Sequence, residues 1–279
     1  MTTSSPTRPT ALVTGASSGL GEEMARLLAQ RRIDLLLVAR REDRLRALAD
    51  ELTAKYGIRA QVMALDLADP GAAAELARES EYRQLQIDFL INNAGFATYG
   101  DFADSDLGSQ LDLLQVNITA LTELTHRFLP GMLARGRGRV LNVASTAAFM
   151  PGPLMATYSA SKAYVLSFSE ALSEEVRGSG VYVTALCPGP VETGFQERAN
   201  LQGSRLFSGP AQLTLLSAPE VARQGIEAML RGDAVHVAGG LNKLQTLLPR
   251  LLPRSFMPRL IRGIQDTGNL PQGKKGRKA

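Results

Sequence analysis

The sequence predicts an α/β fold in which one doubly wound parallel sheet of about seven strands carries helices on both faces. Short aliphatic runs alternate with amphipathic segments along residues 10–240, the pattern of parallel strands joined by crossover helices. The length of 279 residues suits a single large α/β domain. A composition that is 44% hydrophobic and 21% charged supplies a full core and excludes wholesale disorder.

The elements of the first half are predicted, in order, as strand Ala11–Thr14, helix Gly19–Arg31, strand Ile33–Ala39, helix Glu42–Tyr56, strand Ala60–Leu65, a helix opened by Asp69-Pro70, and strand Ile87–Ile91. Both long helices place leucines at helical spacing on one face. The run from Ile33 is almost entirely aliphatic, as expected of a strand covered on both faces. Gly57 ends the second helix, and Pro70 suits the first position of the third.

The elements of the second half are predicted as helix Leu107–Leu133, strand Arg139–Ala144, helix Thr157–Arg177, strand Val181–Leu186, helix Pro219–Leu230 and strand Ala234–Val237. The apolar spacing is helical throughout the long first helix, and Gly136 and Gly138 follow it. Pro219 again stands at a helix start. Because crossovers between parallel strands are right-handed, this alternation favours the doubly wound arrangement.

Charge and residue counts exclude several functional classes. Residues 243–279 contain nine Lys or Arg and one acid, a net charge of +8, so the other residues carry −4 of the total +4. A body of that charge is not expected to bind nucleic acid. The single cysteine, Cys187, excludes an intrachain disulfide, and only two histidines, His126 and His236, argue against a metal site. The polar start and the lack of a long apolar run predict a cytoplasmic protein without signal peptide or membrane span.

A glycine-rich turn joins the first strand to the first helix. Gly15, Gly19 and Gly21 follow the spacing G-x-x-x-G-x-G, which permits a tight turn and close approach of the backbone. The N–H groups and positive dipole end of the helix suit a pyrophosphate. The same turn also fits G-x-S-x-G, with Ser17 as the nucleophile of an α/β-hydrolase. That alternative is weaker, because the hydrolase elbow normally follows earlier strands that help to build its oxyanion hole.

The end of the second strand indicates which dinucleotide binds. An acid about 20 residues after the turn binds the ribose 2′-hydroxyl of NAD, whereas an arginine suits the 2′-phosphate of NADP. This chain has Arg40 and Arg41 at that point and no acid before Glu42. We therefore expect Arg40 to contact the phosphate of NADP(H), with NAD(H) as the less favoured cofactor. Asp66, after the third strand, is expected to bind the adenine amino group.

A tyrosine and a lysine mark the predicted catalytic helix. Tyr158 and Lys162 form Y-x-x-x-K, so their side chains share one helix face. Ser145 ends the preceding strand at the carboxyl edge of the sheet, where ligands bind in such folds.

Together these motifs resemble the short-chain dehydrogenase/reductase family over residues 10–240. The resemblance rests on Thr14-Gly15-x-x-x-Gly19-x-Gly21, Asp66, Asn92-Asn93-Ala94-Gly95, Asn117, Ser145, Tyr158-x-x-x-Lys162 and Pro188-Gly189-x-Val191-x-Thr193. It implies a Rossmann-like fold and an oxidoreductase that transfers a hydride between a nicotinamide and a carbonyl or secondary alcohol.

The resemblance also implies roles for individual residues. Tyr158 would protonate the carbonyl oxygen, Ser145 would hydrogen-bond it, and Lys162 would bind the nicotinamide ribose. Lys162, the available cation, would also lower the pKa of Tyr158, because a phenol with a pKa of about 10 needs its anion stabilised to exchange protons near neutral pH. Asn117 would hold a water leading to Lys162, unless it is a core amide satisfied within the protein. Asn92 is expected near the adenosine ribose. The cofactor-binding residues so implied are Gly15, Ser17, Ser18, Gly19, Leu20, Gly21, Arg40, Asp66, Asn93, Ala94, Gly95, Tyr158, Lys162, Pro188, Gly189, Val191 and Thr193.

Loops beyond the carboxyl edge of the sheet indicate the substrate class. The loops at 96–102, 147–155 and 194–216 carry few fixed charges, and their large apolar residues are Phe96, Tyr99, Phe149, Met150, Leu154, Met155, Phe195, Leu206 and Phe207. They favour a lipophilic ketone or alcohol, 3-oxoacyl or steroid-like. The alternative function is a non-catalytic NADP-binding sensor or scaffold on the same fold.

Four segments are expected: disordered residues 1–9, a Rossmann-fold catalytic domain at 10–240, an amphipathic basic extension at 241–272 and a disordered tail at 273–279. The extension mixes leucines at near-helical spacing with Lys, Arg and prolines. In one interpretation it folds over the pocket or a partner subunit, and in the other it lies on an anionic membrane surface. A homo-oligomer, dimer or tetramer, is expected through the two longest predicted helices.

Overall fold

A seven-stranded parallel sheet forms the centre of the computed structural model, which describes residues 8–192, 215–247, 249, 252–253 and 255–265. In chain order the strands are β1 (Thr10–Thr14), β2 (Asp34–Ala39), β3 (Ala60–Ala64), β4 (Ile87–Asn92), β5 (Gly138–Val143), β6 (Val181–Cys187), β7 (Val191–Glu192), β8 (Leu216–Ser217) and β9 (Val235–Val237). Strands β7 and β8 pair with each other, and the others form the sheet.

Helices cover both faces of this sheet. In chain order they are α1 (Gly19–Gln30), α2 (Glu42–Tyr56), α3 (Ala72–Tyr82), α4 (Leu107–Leu114), α5 (Leu121–Ala134), α6 (Ala156–Glu175), α7 (Ala218–Arg231), α8 (Gly240–Gln245) and α9 (Met257–Gln265). Short 3₁₀ turns lie at Phe102–Asp104 and Thr146–Phe149.

The strand order is β3-β2-β1-β4-β5-β6-β9, which confirms the predicted doubly wound α/β fold. The chain builds outward from β1 to β3 and then returns to β4 on the other side of β1. Crossovers therefore diverge between the carboxyl ends of β1 and β4, the position at which such sheets form a ligand crevice.

Each central strand is buried on both faces. In β1, Ala11 and Val13 pack with Leu28 of α1 and Ile226 of α7, whereas Leu12 packs in the cluster on the opposite face. Successive side chains of a strand point to opposite faces, so an aliphatic run fills both layers. This is why the strands lack the polar alternation of a half-exposed sheet.

The predicted continuous helix Leu107–Leu133 is interrupted. A π-helical segment, Gln115–Ala120, separates α4 from α5 and carries Asn117. The widened turn accompanies hydrogen bonds from the Asn117 amide to the backbone of Phe96 and to Ser161. Apolar spacing did not reveal this, because a π segment leaves the buried face of a helix almost unbroken.

The extension continues from β9 through α8 and α9. Asn242 of α8 is buried and donates to the carbonyl of Ala238 at 2.9 Å, and Met257 and Ile261 of α9 are buried too. The predicted boundaries of the four segments remain predictions. Of the residues expected to be disordered, only 8 and 9 belong to the described part of the chain. No helix within the described ranges has the length and hydropathy that crossing a bilayer requires.

Candidate active site

A cavity of about 580 Å³ opens at the carboxyl edge of the sheet, within the usual size range of ligand pockets. Its walls come from the glycine-rich turn, the loops after β2 to β6, the start of α6, and the extension. The cavity therefore spans the crevice between β1 and β4 that the topology creates.

The glycine-rich turn forms one end of the cavity. The residues of this turn that line it are Gly15, Ser17, Ser18, Gly19 and Leu20. Gly15 and Gly19 have φ angles of +67° and +58°, a region that favours glycine. Gly21 does not line the cavity: a Cβ there would lie 2.4 Å from the carbonyl oxygen of Gly15, so this glycine lets α1 pack against the turn. The unpaired first-turn N–H groups of a helix suit an anion.

The segment after β4 is tied to the end of β1. Thr14 Oγ1 accepts hydrogen bonds from the backbone N–H groups of Asn93 and Ala94, both at 3.0 Å. Asn93 Nδ2 donates to the Thr14 carbonyl at 2.9 Å. Asn93, Ala94 and Gly95 consequently line the cavity beside the glycine-rich turn.

Asn92 does not lie where the sequence predicted it. Its amide donates to Thr125 Oγ1 at 3.0 Å and to Asn142 Oδ1 at 2.9 Å, and Asn142 donates to Ser169 Oγ at 2.9 Å. The expectation that Asn92 borders the adenosine ribose is therefore wrong. As the last residue of a strand it points into the packed layer of α5 and α6, and the crevice begins one residue later.

Two arginines border the end of the cavity nearest β2. Arg40 Nη1 lies 3.5 Å from Asp66 Oδ2, and both residues line the cavity. Arg41 lines it too, and its guanidinium donates to the carbonyl and the hydroxyl of Ser17 at 3.0 and 3.2 Å. Arg40 alone was predicted to contact the cofactor, although the adjacent pair of cations was the available signal for both.

A pair of hydroxyl groups, one half-buried and one buried, lies in another part of the cavity wall. Ser145 and Tyr158 both line it, and their side chains hydrogen-bond each other. Burial raises the pKa of Tyr158, while the bond with Ser145 acts in the opposite direction. The Tyr158 phenol is therefore held in its protonated form at neutral pH.

Lys162 lies one helical turn after Tyr158. Its ammonium Nζ donates to the carbonyl of Val143 at 2.8 Å and lies 5.8 Å from the centre of the Tyr158 ring. Burial lowers the pKa of Lys162 to about 8, opposed by its interaction with Cys187. The predicted lowering of the Tyr158 pKa by Lys162 is not seen, because burial dominates the titration of both groups.

Asn117 is buried and does not appear among the residues that line the cavity. Its amide bonds both backbone groups of Phe96 at 3.1 Å and donates to Ser161 Oγ at 3.0 Å. Ser161 in turn donates to the carbonyl of Tyr158 at 2.7 Å. A Cβ on Gly95 would lie 2.9 Å from Asn117 Oδ1 and 3.5 Å from Lys162 Nζ, so Asn117 acts beside the lysine rather than on the cavity surface.

The loop after β6 forms the wall next to Ser145. Three residues of this loop that were predicted to bind the cofactor line the cavity: Pro188, Gly189 and Val191. The Pro188 carbonyl accepts a hydrogen bond from the Thr146 N–H at 2.8 Å. Thr193, predicted to bind the nicotinamide, lies outside the described residues. A Cβ on Gly189 would lie 2.5 Å from the amide of Asn242, so the extension packs directly against this loop.

The extension supplies lining residues that the predicted site omitted. They are Gln245, Pro249, Met257, Leu260 and Ile261. An exposed ion pair at 3.5 Å, Arg262 with Asp101, connects α9 to the loop after β4. The leucine spacing in the sequence indicated an amphipathic segment, but spacing alone did not say what its buried face would cover.

The predicted substrate residues divide into three groups. Phe96, Met150 and Met155 line the cavity. Tyr99, Phe149 and Leu154 do not appear in its lining, and the first two pack in apolar clusters under the loops. The positions predicted in the loop 194–216, among them Phe195, Leu206 and Phe207, lie outside the described residues.

The remaining ionisable candidates, His236, His126 and Cys187, do not line the cavity. His236 bonds Gln224 at 3.2 Å, and His126 lines a separate surface hollow with Tyr164. Neither histidine accompanies Ser17, whose hydroxyl accepts from Arg41, so the hydrolase alternative has no base here. Burial raises the pKa of Cys187 to about 12, which makes it an inert thiol. Within the described residues, no cluster of side chains suits a metal ion.

The hydrogen-bond donors and cations that line the cavity suit a nicotinamide dinucleotide. Two glycines at a helix N-terminus lie at one end, two arginines lie beside them, and Lys162 lies across the cavity with the hydroxyl pair. Anions and ribose hydroxyls are the groups that such donors recognise.

Comparison with known proteins gives concordant matches. The short chain dehydrogenase family model matches residues 9–203. A short chain dehydrogenase from Pseudocercospora fijiensis is 38% identical over 66% of this chain and 60% of its own length. A very-long-chain 3-oxoacyl-CoA reductase from Laccaria bicolor is 37% identical over 63% of this chain and 53% of its own, so the chain spans little more than half of these relatives. A short-chain dehydrogenase from Sphingobium yanoikuyae in complex with NADPH has a TM-score of 0.76 and 30% identity, covering 96% of this chain and 98% of its own.

Proposed function

Because this chain belongs to the short-chain dehydrogenase/reductase family, we propose that it transfers a hydride between NADP(H) and a carbonyl or secondary alcohol. The preferred substrate in this proposal is a lipophilic ketone, either 3-oxoacyl or steroid-like. The observation that carries it is the hydrogen-bonded pair Ser145–Tyr158 in the cavity wall, with the ammonium of Lys162 one turn below.

The chain's own residues account for the proton in the reduction. The bound dinucleotide supplies the hydride that reaches the carbonyl carbon. Tyr158, kept protonated by burial, donates its hydroxyl proton to the oxygen as negative charge develops there. The Ser145 hydroxyl donates a hydrogen bond to the same oxygen and stabilises the developing charge. The proton from Tyr158 makes the product the neutral alcohol and leaves a phenolate on Tyr158.

Positively charged groups favour the phenolate that remains on Tyr158. Lys162 Nζ lies 5.8 Å from the centre of the Tyr158 ring, and a pKa of about 8 leaves it charged at neutral pH. Two hydrogen bonds fix the backbone near Lys162. Asn117 Oδ1 accepts from the Phe96 N–H, and the Ser161 hydroxyl donates to the Tyr158 carbonyl. We propose that Lys162 also donates to the nicotinamide ribose, next to Pro188 and Gly189.

Arg40 provides the preference for NADP(H) in this proposal. Its guanidinium lines the cavity beside Asp66, whereas Arg41 is already bonded to Ser17 in the turn. The NADPH complex of the Sphingobium yanoikuyae relative supports the cofactor by similarity. A 2′-phosphate would compete with the Asp66 carboxylate for Arg40.

Arg40→Gln is expected to raise KM for NADPH by about 10- to 100-fold, the value of a charge-assisted hydrogen bond. KM for NADH should change little, because that cofactor has no 2′-phosphate. Steady-state kinetics with both cofactors measures the ratio. Arg44→Gln, an exposed arginine of α2 outside the cavity lining, is the matched control. Equal effects of Arg40→Gln on NADPH and NADH would contradict this assignment.

The lining of the cavity supports a lipophilic substrate. Phe96, Met150 and Met155 lie on one wall, and Leu260 and Ile261 of the extension lie on another. The name of the Laccaria bicolor relative points in the same direction. Burying apolar groups between these walls would favour a long acyl chain or a polycycle over a charged sugar.

A panel of ketones tests the function. Consumption of NADPH should be measurable with long-chain 3-oxoacyl thioesters or steroid ketones and undetectable with phosphorylated keto sugars. Tight NADPH binding without turnover of any ketone would instead identify the non-catalytic sensor or scaffold. Turnover confined to phosphorylated sugars would reject the lipophilic substrate class but would still support the oxidoreductase function.

We further propose a homo-oligomer that works in the cytoplasm. Leu111, Leu133 and Tyr164 are large apolar residues exposed on α4, α5 and α6, the elements predicted to meet a second subunit. Their exposure supports contacts between copies through these helices.

A further inference from the structure

A group of large apolar side chains is exposed on the extension. We call Leu241, Leu244, Leu247 and Phe256 the tail patch; their exposed fractions are 52%, 65%, 46% and 51%. Single exposed apolar side chains are ordinary on protein surfaces, but four large ones within sixteen residues of chain indicate an interaction surface.

The tail patch lies beside the cavity. Leu241 and Leu244 are three residues apart in α8 and so share one face, while Gln245 of the same helix lines the cavity. Phe256 directly precedes Met257, which is buried and lines the cavity as well. Each part of the patch is therefore attached to an element that closes the cavity.

Basic side chains accompany the patch. Lys243 lies between the two leucines of α8, and Arg259 follows Phe256 by three residues; both are exposed. Residues 243–279 carry a net charge of +8, while the remainder of the chain carries −4. A protein with this asymmetry turns its extension toward an anionic surface. A second copy would bring the same positive charge to the contact, which disfavours self-association through this patch.

We propose that the tail patch docks on an anionic lipid surface, with the apolar side chains at the headgroup boundary and the lysine and arginines among the headgroups. The cavity wall formed by α9 then lies close to the bilayer. Under the proposed function, on which only this last step rests, a lipophilic ketone would pass between bilayer and cavity without crossing bulk water.

Vesicle co-sedimentation of the full chain tests the docking. We expect binding to vesicles of phosphatidylcholine mixed with phosphatidylglycerol, little binding to phosphatidylcholine alone, and weakening by salt, which screens exposed charges. Leu241→Ser combined with Leu244→Ser should lower the partition coefficient at least about tenfold. Lys243→Gln combined with Arg259→Gln should lower it by a similar factor.

Leu230→Ser is the matched apolar control, since Leu230 is an exposed leucine of α7 that does not line the cavity. It should bind vesicles like the unmodified chain. Equal binding to both vesicle types, or binding unaffected by both double substitutions, would overturn the proposal. So would a change of sedimentation mass in the leucine variant without vesicle binding by the parent, which would make the patch a subunit contact.

Turnover of a water-soluble ketone without vesicles separates this proposal from the proposed function. Such turnover together with absent vesicle binding rejects only the docking. Vesicle binding without turnover of any ketone rejects only the reductase. The leucine variants retain every cavity residue, so their turnover in solution also reports that they are folded.

Discussion

Tyr158→Phe is expected to lower kcat by a factor of about 10²–10⁴, the contribution of a positioned general acid. The substitution removes only the hydroxyl that hydrogen-bonds Ser145 in the cavity wall, and the buried ring keeps its packing. NADPH binding should be largely retained, because the cationic and glycine-rich parts of the cavity are unchanged. Single-turnover kinetics and a fluorescence titration with NADPH measure the two quantities.

Tyr164→Phe is the matched control in the same helix. Its hydroxyl bonds Thr122 at 3.0 Å on an exposed face, away from the cavity. It should leave kcat unchanged. If Tyr158→Phe reduced the ketone at the parental rate, the proton would have to come from another group and the proposed mechanism would fail.

Lys162→Met should have opposite effects on turnover and on stability. Turnover is expected to fall by about 100-fold or more, because the cation beside the phenolate is lost. Stability at pH 7 should rise, since burial that lowers the lysine pKa to about 8 opposes the charged form. The unfolded chain keeps an ordinary lysine pKa of about 10.4.

The pH dependence of this gain follows from proton linkage. Between pH 8 and pH 10 the unfolded chain retains a proton on Lys162 that the folded chain has released, so the free energy of unfolding of the parent rises with pH. The advantage of Lys162→Met should therefore shrink by roughly 2 to 3 kcal/mol between pH 7 and pH 10. Urea unfolding at the two pH values measures it, with exposed Lys55→Met as control. A pH-independent difference would show that folding does not perturb Lys162.

The fold was predictable because its signals are local and repeated. Aliphatic runs buried on both faces and glycines at helix ends specify each strand and helix separately, and handedness then restricts their order. The interruption of the helix at Asn117 was not predictable. It accompanies hydrogen bonds to Phe96 and Ser161, which lie far away in sequence.

The site was predictable as a set of positions but less so as chemistry. Residues at the ends of strands, such as Ser145 and Asn93, meet in the crevice because parallel strands share one edge. Asn92 shows the limit, since one step along a strand changes the face. The pKa of Tyr158 shows a second limit of sequence-based prediction. Burial raises this pKa, and the depth of burial depends on packing that a motif does not encode.

The extension could be recognised but not placed. Its leucines predicted an amphipathic segment, and its two interpretations named different surfaces. The structure places Met257, Leu260 and Ile261 of α9 against the cavity and leaves the tail patch, which lies on α8 and in the segment between α8 and α9, exposed. An amphipathic pattern alone specifies that a face is buried and not which neighbour buries it.

The contribution of α9 to the cavity also bears on the order in which the chain acquires its parts. The glycine-rich turn and both arginines precede Met257 and Leu260 in the sequence and so emerge from the ribosome before them. Since chains begin to fold as they are made, the wall formed by the glycine-rich turn can form well before the wall contributed by α9. A nascent or prematurely terminated chain would then expose an open apolar trough, a target for chaperones and proteases that the finished molecule conceals.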